Sequence, residues 1–264
     1  MTATQRIGII GGNGWLGGAI AAAILDTGAI EPGHLSLSYR RNRPDRFEDA
    51  FWTADNQALV DRSDVVILSV RPEDWPAIPV NAEGRLLISV MAGIRIDQLS
   101  AVHATDRVIR ALPNAAAEVG RSYTPWTTSP AATAEDRATA RMIFDACGIE
   151  DEVSGEADID YLTGLTGSGP AFPALLARAM MADAIAHGLP EATARRAVNM
   201  VLVGTGRLLE RRDEDPAETV KTFLDYRGTT AAAIETMRAG GFDRAVADGL
   251  RAAFKKSVSM GDAS

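Results

Sequence analysis

Thiols and imidazoles are scarce in this chain. Cys147 has no second cysteine to pair with, which excludes an internal disulfide, and His34, His103 and His187 lie far apart without metal-type spacing. No metal site is expected, and a reducing cytoplasm is the expected compartment. Long apolar runs are also missing. The most apolar helical stretch, Pro173 to Ala186, is interrupted by Arg178 and Asp183 and falls short of the ~18–20 uninterrupted residues that span a bilayer. The residues before Arg6 carry no apolar export region, so neither a membrane partner nor export is expected. Positive charge is in deficit: 27 Lys and Arg stand against 35 Asp and Glu, a net charge of −8. That balance argues against nucleic acid as a partner, because replacing phosphate counterions needs clustered cations. Any anionic ligand must be held by a local site.

What is present points to two domains. The 264 residues, 46% hydrophobic and 23% charged, suffice for two cores of about 100–150 residues each. No internal repeat is evident. Short, almost continuously apolar runs at Arg6–Ile10, Leu35–Tyr39, Val65–Val70, Leu86–Met91 and Val108–Leu112 read as strands covered on both faces. Leu16–Thr27 and Phe47–Val60 between them read as helices, the βαβ pattern of a parallel sheet. Beyond Gly155 the strand signal fades into Ala-, Leu- and Met-rich segments, Phe172–His187, Glu191–Arg211, Pro216–Phe223, Thr230–Ala239 and Phe242–Ser257. Gly188 is a candidate C-cap, and Pro190 fits the opening of the next helix. The expected fold is α/β: a Rossmann-type doubly wound parallel sheet over residues 1–154, then an all-helical dimerisation and substrate domain over 155–264. Helices so rich in apolar and small residues are expected to bury surface against another copy of the chain, in a homodimer or a ring of dimers.

Gly12-x-Gly14-x-x-Gly17 follows a strand and opens a helix, the context that a dinucleotide fingerprint requires. Gly12 is expected to make the tight turn, Gly14 to let the pyrophosphate approach the backbone, and Gly17 to let helix and strand pack closely. Asn13, Trp15 and Leu16 complete the loop, and the helix N-terminus offers N–H groups and a positive dipole end to phosphate. At the end of the second strand, where an NAD-preferring protein places a carboxylate for the ribose 2′-hydroxyl, the chain reads Ser38-Tyr39-Arg40-Arg41-Asn42-Arg43. A guanidinium fork suits a 2′-phosphate, so NADP is expected rather than NAD. The alternative is a solvated arginine cluster.

Ordered along almost the whole chain are Arg6–Ile20, Asp64-Val-Val-Ile-Leu-Ser-Val-Arg-Pro72, Ile88-Ser-Val-Met-Ala-Gly93, Leu112-Pro-Asn114, Asp160-Tyr-Leu-Thr-Gly-Leu-Thr-Gly-Ser-Gly-Pro-Ala-Phe172, His187-Gly-Leu-Pro190 and Gly228-Thr-Thr230. In these the sequence resembles the pyrroline-5-carboxylate reductases, which reduce a cyclic imino acid to proline with NAD(P)H. The resemblance implies that Val70, Arg71 and Pro72 face the cofactor and that Pro113 and Asn114 lie near the nicotinamide. It also implies that Ser168 and Gly169 begin the substrate domain beside the reacting ring. Gly228, Thr229 and Thr230 become a helix N-terminus for the substrate carboxylate, with Thr230 at the imine nitrogen. Ser168 reads equally as a helix cap.

Three departures accompany the resemblance. Where the family usually carries Ser-Pro-Gly-Gly before its Thr-Thr pair, this chain has Asp225-Tyr226-Arg227-Gly228. Tyr226 becomes a candidate proton donor and Arg227 a candidate carboxylate clamp, against the alternative of a surface loop with an Asp225–Arg227 ion pair. An arginine in place of glycine costs roughly 1–2 kcal/mol if the backbone there is left-handed, which allows the loop a different path. The glycine turn is one residue longer than usual, like that of prephenate dehydrogenases, and Ala115 and Ala116 replace the proline that follows the Pro-Asn pair. Two other activities remain open on this scaffold: oxidoreduction of another imine, amine or hydroxy acid, and non-catalytic sensing of NADP.

Overall fold

The computed structural model describes residues 5–212 and 215–262. Five strands fall where apolar character places them, most ending one or two residues early: β1 Ile7–Ile10, β2 Leu35–Ser38, β4 Val65–Leu68, β5 Leu86–Ser89 and β6 Val108–Ala111. With β3 Phe51–Thr53, β7 Ser122–Thr128 and β8 Gly148–Glu152 they form one sheet in the order β3-β2-β1-β4-β5-β6-β7-β8. All neighbours run parallel except β6 and β7.

Alternation along the strands sends side chains to two cores. Ile7, Ile9, Leu37, Ile67, Ile88 and Ile109 pack on one face with Ile20 and Ile24 of α1 (Trp15–Asp26) and Ile143 and Phe144 of α4 (Ala134–Cys147). Val66, Leu68, Leu87 and Val108 pack on the other with Leu59 of α2 (Asn56–Asp61), Leu99 of α3 (Ile96–His103) and Trp75 of the 3₁₀ segment Pro72–Ala77. This is the doubly wound sheet expected.

The helix expected over Phe47–Val60 is not one element. Phe47 has φ 51°, β3 pairs with β2 through Phe51, Trp52 and Thr53, and α2 starts only after Asp55, whose carboxylate accepts from the Gln57 and Ala58 N–H groups. That capping aspartate stops a helix from extending back through Thr53.

The helical second half stands as expected, with α6 Ala171–Ala186, α7 Glu191–Arg212, α8 Pro216–Asp225, α9 Thr229–Ala239 and α10 Phe242–Asp262. Gly188, at φ 102°, ends α6, with the Leu189 N–H donating to the Ala184 carbonyl at 3.1 Å. Pro190 precedes α7, and its carbonyl accepts from Thr193 and Ala194.

By packing, the chain forms two compact units. One runs to Ser168 and takes back the chain from Ala252; the other is Gly169–Arg251. Two features hold residues 156–168 to the first unit. Arg110 of β6, fully buried, donates to Glu156 at 3.1 Å and Asp160 at 2.6 Å of α5 (Glu156–Leu162). The end of α10 closes over the π-helical turn Thr163–Gly167, where Tyr161 meets the Phe254 ring edge-on and Gly164 lies so close that a Cβ there would stand 3.0 Å from the Phe254 nitrogen.

Candidate active site

At the carboxyl ends of β1, β2 and β4, where the strand order reverses, the first unit opens a cavity of about 790 Å³. Ligands of open parallel sheets bind at such a switch point. The left-handed turn falls on Gly11 (φ 87°) rather than on Gly12, and a Cβ at Gly11 would lie 2.2 Å from the Ser69 carbonyl oxygen. Gly12 is instead needed for close approach, since a Cβ there would meet Leu37 at 2.6 Å; one at Gly17 would meet the Gly11 carbonyl oxygen at 2.5 Å. The turn is tied to β2 by Ser38, whose hydroxyl accepts from the Gly11 N–H at 3.0 Å and whose carbonyl accepts from the Asn13 N–H at 3.2 Å. Gly14 is the N-cap of α1, so the N–H groups of Trp15, Leu16 and Gly17 form a first helical turn without intrahelical acceptors.

Asn13, Gly14, Tyr39, Arg40, Arg41, Val70 and Arg71 line this one cavity. Arg40 donates to Asp74 at 2.9 Å. Tyr39 packs at 6.4 Å from Trp52, and Arg71, largely exposed, caps the Pro72–Ala77 segment. Other expected residues stand apart from the lining. The Trp15 indole turns to Glu118, Leu16 packs on the core, Pro72 opens the 3₁₀ segment and Pro113 is buried two residues after β6. Asn114 is tied into the loop, its Oδ1 accepting from the Ala116 N–H at 2.9 Å and its Nδ2 donating to the Thr166 carbonyl at 3.0 Å.

Sequence reasoning did not single out Ser38, Arg46 or Asp74. Ser38 carried a signal, as the last residue of an apolar strand. Arg46, which donates to the Gly12 carbonyl at 3.0 Å, and Asp74, which pairs with Arg40, meet their partners only through tertiary packing. Among the described residues no group of His, Cys, Asp and Glu is arranged to hold a metal ion, and no helix is long and apolar enough to cross a membrane.

Ser168 follows the π-helical turn as its C-cap, its hydroxyl donating to the Thr163 carbonyl at 3.3 Å; no side chain caps the start of α6, where Pro170 stands. In the second unit, Gly228 is the N-cap of α9 and Thr229 and Thr230 form its first turn, both exposed. Arg227 adopts φ 53°, so the backbone keeps the left-handed conformation that suits glycine. Tyr226 is 86% exposed, and its ring edge would stand 3.1 Å from a Cβ at Gly228. Among the described residues no ion pair joins Asp225 to Arg227. Gly169 opens the turn before α6, its carbonyl accepting from Phe172.

A doubly wound sheet with a glycine turn between β1 and α1, an acceptor-free helix start and arginines after β2 defines a Rossmann-type dinucleotide-binding protein. Residues 6–93 match the family described as NADP oxidoreductase coenzyme F420-dependent, and residues 156–260 match the family described as Pyrroline-5-carboxylate reductase dimerisation. The chain is 30% identical to a pyrroline-5-carboxylate reductase of Synechocystis, covering 97% of this chain and 98% of the relative. It is 31% identical to that of Thermus thermophilus, over 95% and 97% of the two chains. The Plasmodium falciparum pyrroline carboxylate reductase, solved with NADP bound, superimposes with a TM-score of 0.87 at 22% identity, over 97% of this chain and 98% of that one. The chain belongs to the pyrroline-5-carboxylate reductase family.

Proposed function

We propose that this protein reduces the cyclic imine 1-pyrroline-5-carboxylate to L-proline with NADPH. The observation that carries this reading is 30% identity to a pyrroline-5-carboxylate reductase across 97% of the chain. The first unit supports the cofactor. The N–H groups that open α1 suit a pyrophosphate, and Arg40 and Arg41 suit a 2′-phosphate. Val70, Arg71 and Pro72 face the cofactor, and Pro113 and Asn114 lie near its nicotinamide. NADPH supplies a hydride when bound; the protein must orient the imine carbon and support positive charge on the ring nitrogen.

In the second unit, the N–H groups of Thr229 and Thr230 at the start of α9 receive the substrate carboxylate. The Thr230 hydroxyl hydrogen-bonds the ring nitrogen, Tyr226 is the proton donor, and Ser168, Gly169, Arg227 and Gly228 complete the substrate contacts. The protein works as a cytoplasmic homodimer, or a ring of dimers, with residues 1–154 for NADP and 155–264 for dimerisation and substrate.

The test is consumption of NADPH, followed by nicotinamide absorbance, with 1-pyrroline-5-carboxylate, in parallel with the six-membered imine and with NADH. Turnover of the five-membered imine with NADPH supports the reading. Turnover of the larger ring alone overturns it in favour of a second reading, reduction of another imine, which Arg227 in a glycine-type backbone position favours. NADPH binding without turnover of either imine would favour a sensor.

A further inference from the structure

The nucleotide cavity contains a carboxylate where its arginines are needed. Asp74 lines the same wall as Arg40 and Arg41, and its Oδ2 lies 2.9 Å from Arg40 Nη2. The two residues come from opposite sides of β1: Arg40 follows β2 and Asp74 follows β4, the strands that flank β1 in the sheet. Their ion pair therefore spans the glycine turn from one neighbouring strand to the other.

The two partners are held unequally. Asp74 stands on the Pro72–Ala77 segment, its N–H donating to the Arg71 carbonyl at 2.9 Å. The next residue, Trp75, is buried and anchored to His103 by a 2.8 Å bond. Arg40 belongs to a loop and its side chain is 72% exposed. The carboxylate is the fixed member of the pair and the guanidinium the adjustable one.

We propose that Asp74 is a specificity-determining residue of the nucleotide site, competing with the cofactor's 2′-phosphate for Arg40. The inference rests on the NADPH reading above. A dianionic phosphate and a carboxylate cannot share one guanidinium without like-charge repulsion, so Arg40 exchanges Asp74 for the phosphate when a 2′-phosphorylated nucleotide binds. A nucleotide with a free 2′-hydroxyl makes no such demand and leaves the pair closed. Asp74 thus restrains the preference for phosphorylated cofactor that Arg40 and Arg41 create.

The test is calorimetric titration of the full-length protein with adenosine 2′,5′-bisphosphate and with 5′-AMP, for the wild type, Asp74→Asn, Asp74→Glu, Arg40→Ala and the Asp74→Asn/Arg40→Ala double variant. Asp74→Asn is expected to tighten the bisphosphate about two- to fivefold, the range of an exposed ion pair, with 5′-AMP unmoved. Asp74→Glu restores the wild-type value, and the Asp74→Asn effect disappears in the Arg40→Ala background. A gain that shrinks as salt is added supports direct competition. If the wild type prefers the bisphosphate but Asp74→Asn weakens it, or moves both ligands alike, Asp74 only supports the wall and the inference falls alone. If the wild type shows no preference for the bisphosphate, the NADPH reading fails and the inference falls with it.

Discussion

Arg227 keeps φ 53° although it carries a side chain, and left-handed backbone costs an L-residue roughly 1–2 kcal/mol. Arg227→Gly relieves that strain but loosens the unfolded chain, so the net gain is expected to be up to about 1 kcal/mol, read as a rise of ~2–4 °C in melting temperature. If Arg227 clamps the substrate carboxylate, the same variant raises KM for the imine while leaving KM for NADPH in place. Thr230→Val removes the hydroxyl assigned to the ring nitrogen and is expected to lower kcat about 10²-fold, measured with saturating NADPH. His103 presents a different case. Trp75 Nε1–H donates to its Nε2 at 2.8 Å, so Nδ1 carries the proton and donates to the Val80 carbonyl at 3.0 Å. Burial pushes this imidazole below its ordinary value of 6.5, against the hydrogen bond to Val80, which pulls it up. As pH falls through about 6.5 the unfolded chain takes up a proton on the ring and the folded chain does not, so stability is present above that pH and declines below it. Denaturation midpoints measured between pH 7.5 and about 5 should show this slope, and His103→Asn should flatten it.

Among the elements, α5 is tied to the sheet through the buried Arg110 of β6. Arg110→Met leaves the Glu156 and Asp160 carboxylates without the cation they face across β6, and breaking a buried pair costs about 3–5 kcal/mol. Urea denaturation of the variant should show a loss of that order, whereas replacing a surface arginine such as Arg195, in its i,i+4 pair with Glu191, should cost under about 1 kcal/mol. The strands β1, β2, β4, β5 and β6 were legible because burial on both faces demands an unbroken apolar run. A three-residue strand such as β3 is too short to express a period, and Trp52 and Thr53 merged with the following helix. Pro125 breaks the apolar pattern of the β7 sequence although the strand runs through it, and Gly-Ile-Glu-Asp-Glu in β8 hides an edge strand behind acidic side chains. The glycine turn and its arginines were legible because their chemistry is local. Asp74 and Arg46 were not, because each reaches the nucleotide cavity's surroundings through a contact between residues more than thirty positions apart.

On the scale of the whole molecule, the helices of Gly169–Arg251 leave much apolar surface uncovered. Leu175 on α6 and Met200 and Val203 on α7 are each more than half exposed, and α6 buries none of its residues. Residues 156–260 match a family described by its dimerisation, and the proposed homodimer would bury this surface. Met200→Glu is expected to convert the oligomer to monomer at micromolar concentration, measured by sedimentation, because a charge at an apolar interface is costly to desolvate; an unchanged mass places the contact elsewhere. The division of the chain also has a consequence in time. A ribosome delivers β1 to β8 and α5 first, then the whole of Gly169–Arg251, and only afterwards the residues from Ala252 whose Phe254 covers Tyr161 and Gly164. Segments normally fold as they emerge, but here the earliest-made unit waits for the late-made stretch to seal it. Until then its π-helical turn lacks that cover, and the nucleotide-binding unit reaches its finished form only after the helices of the other unit have been made.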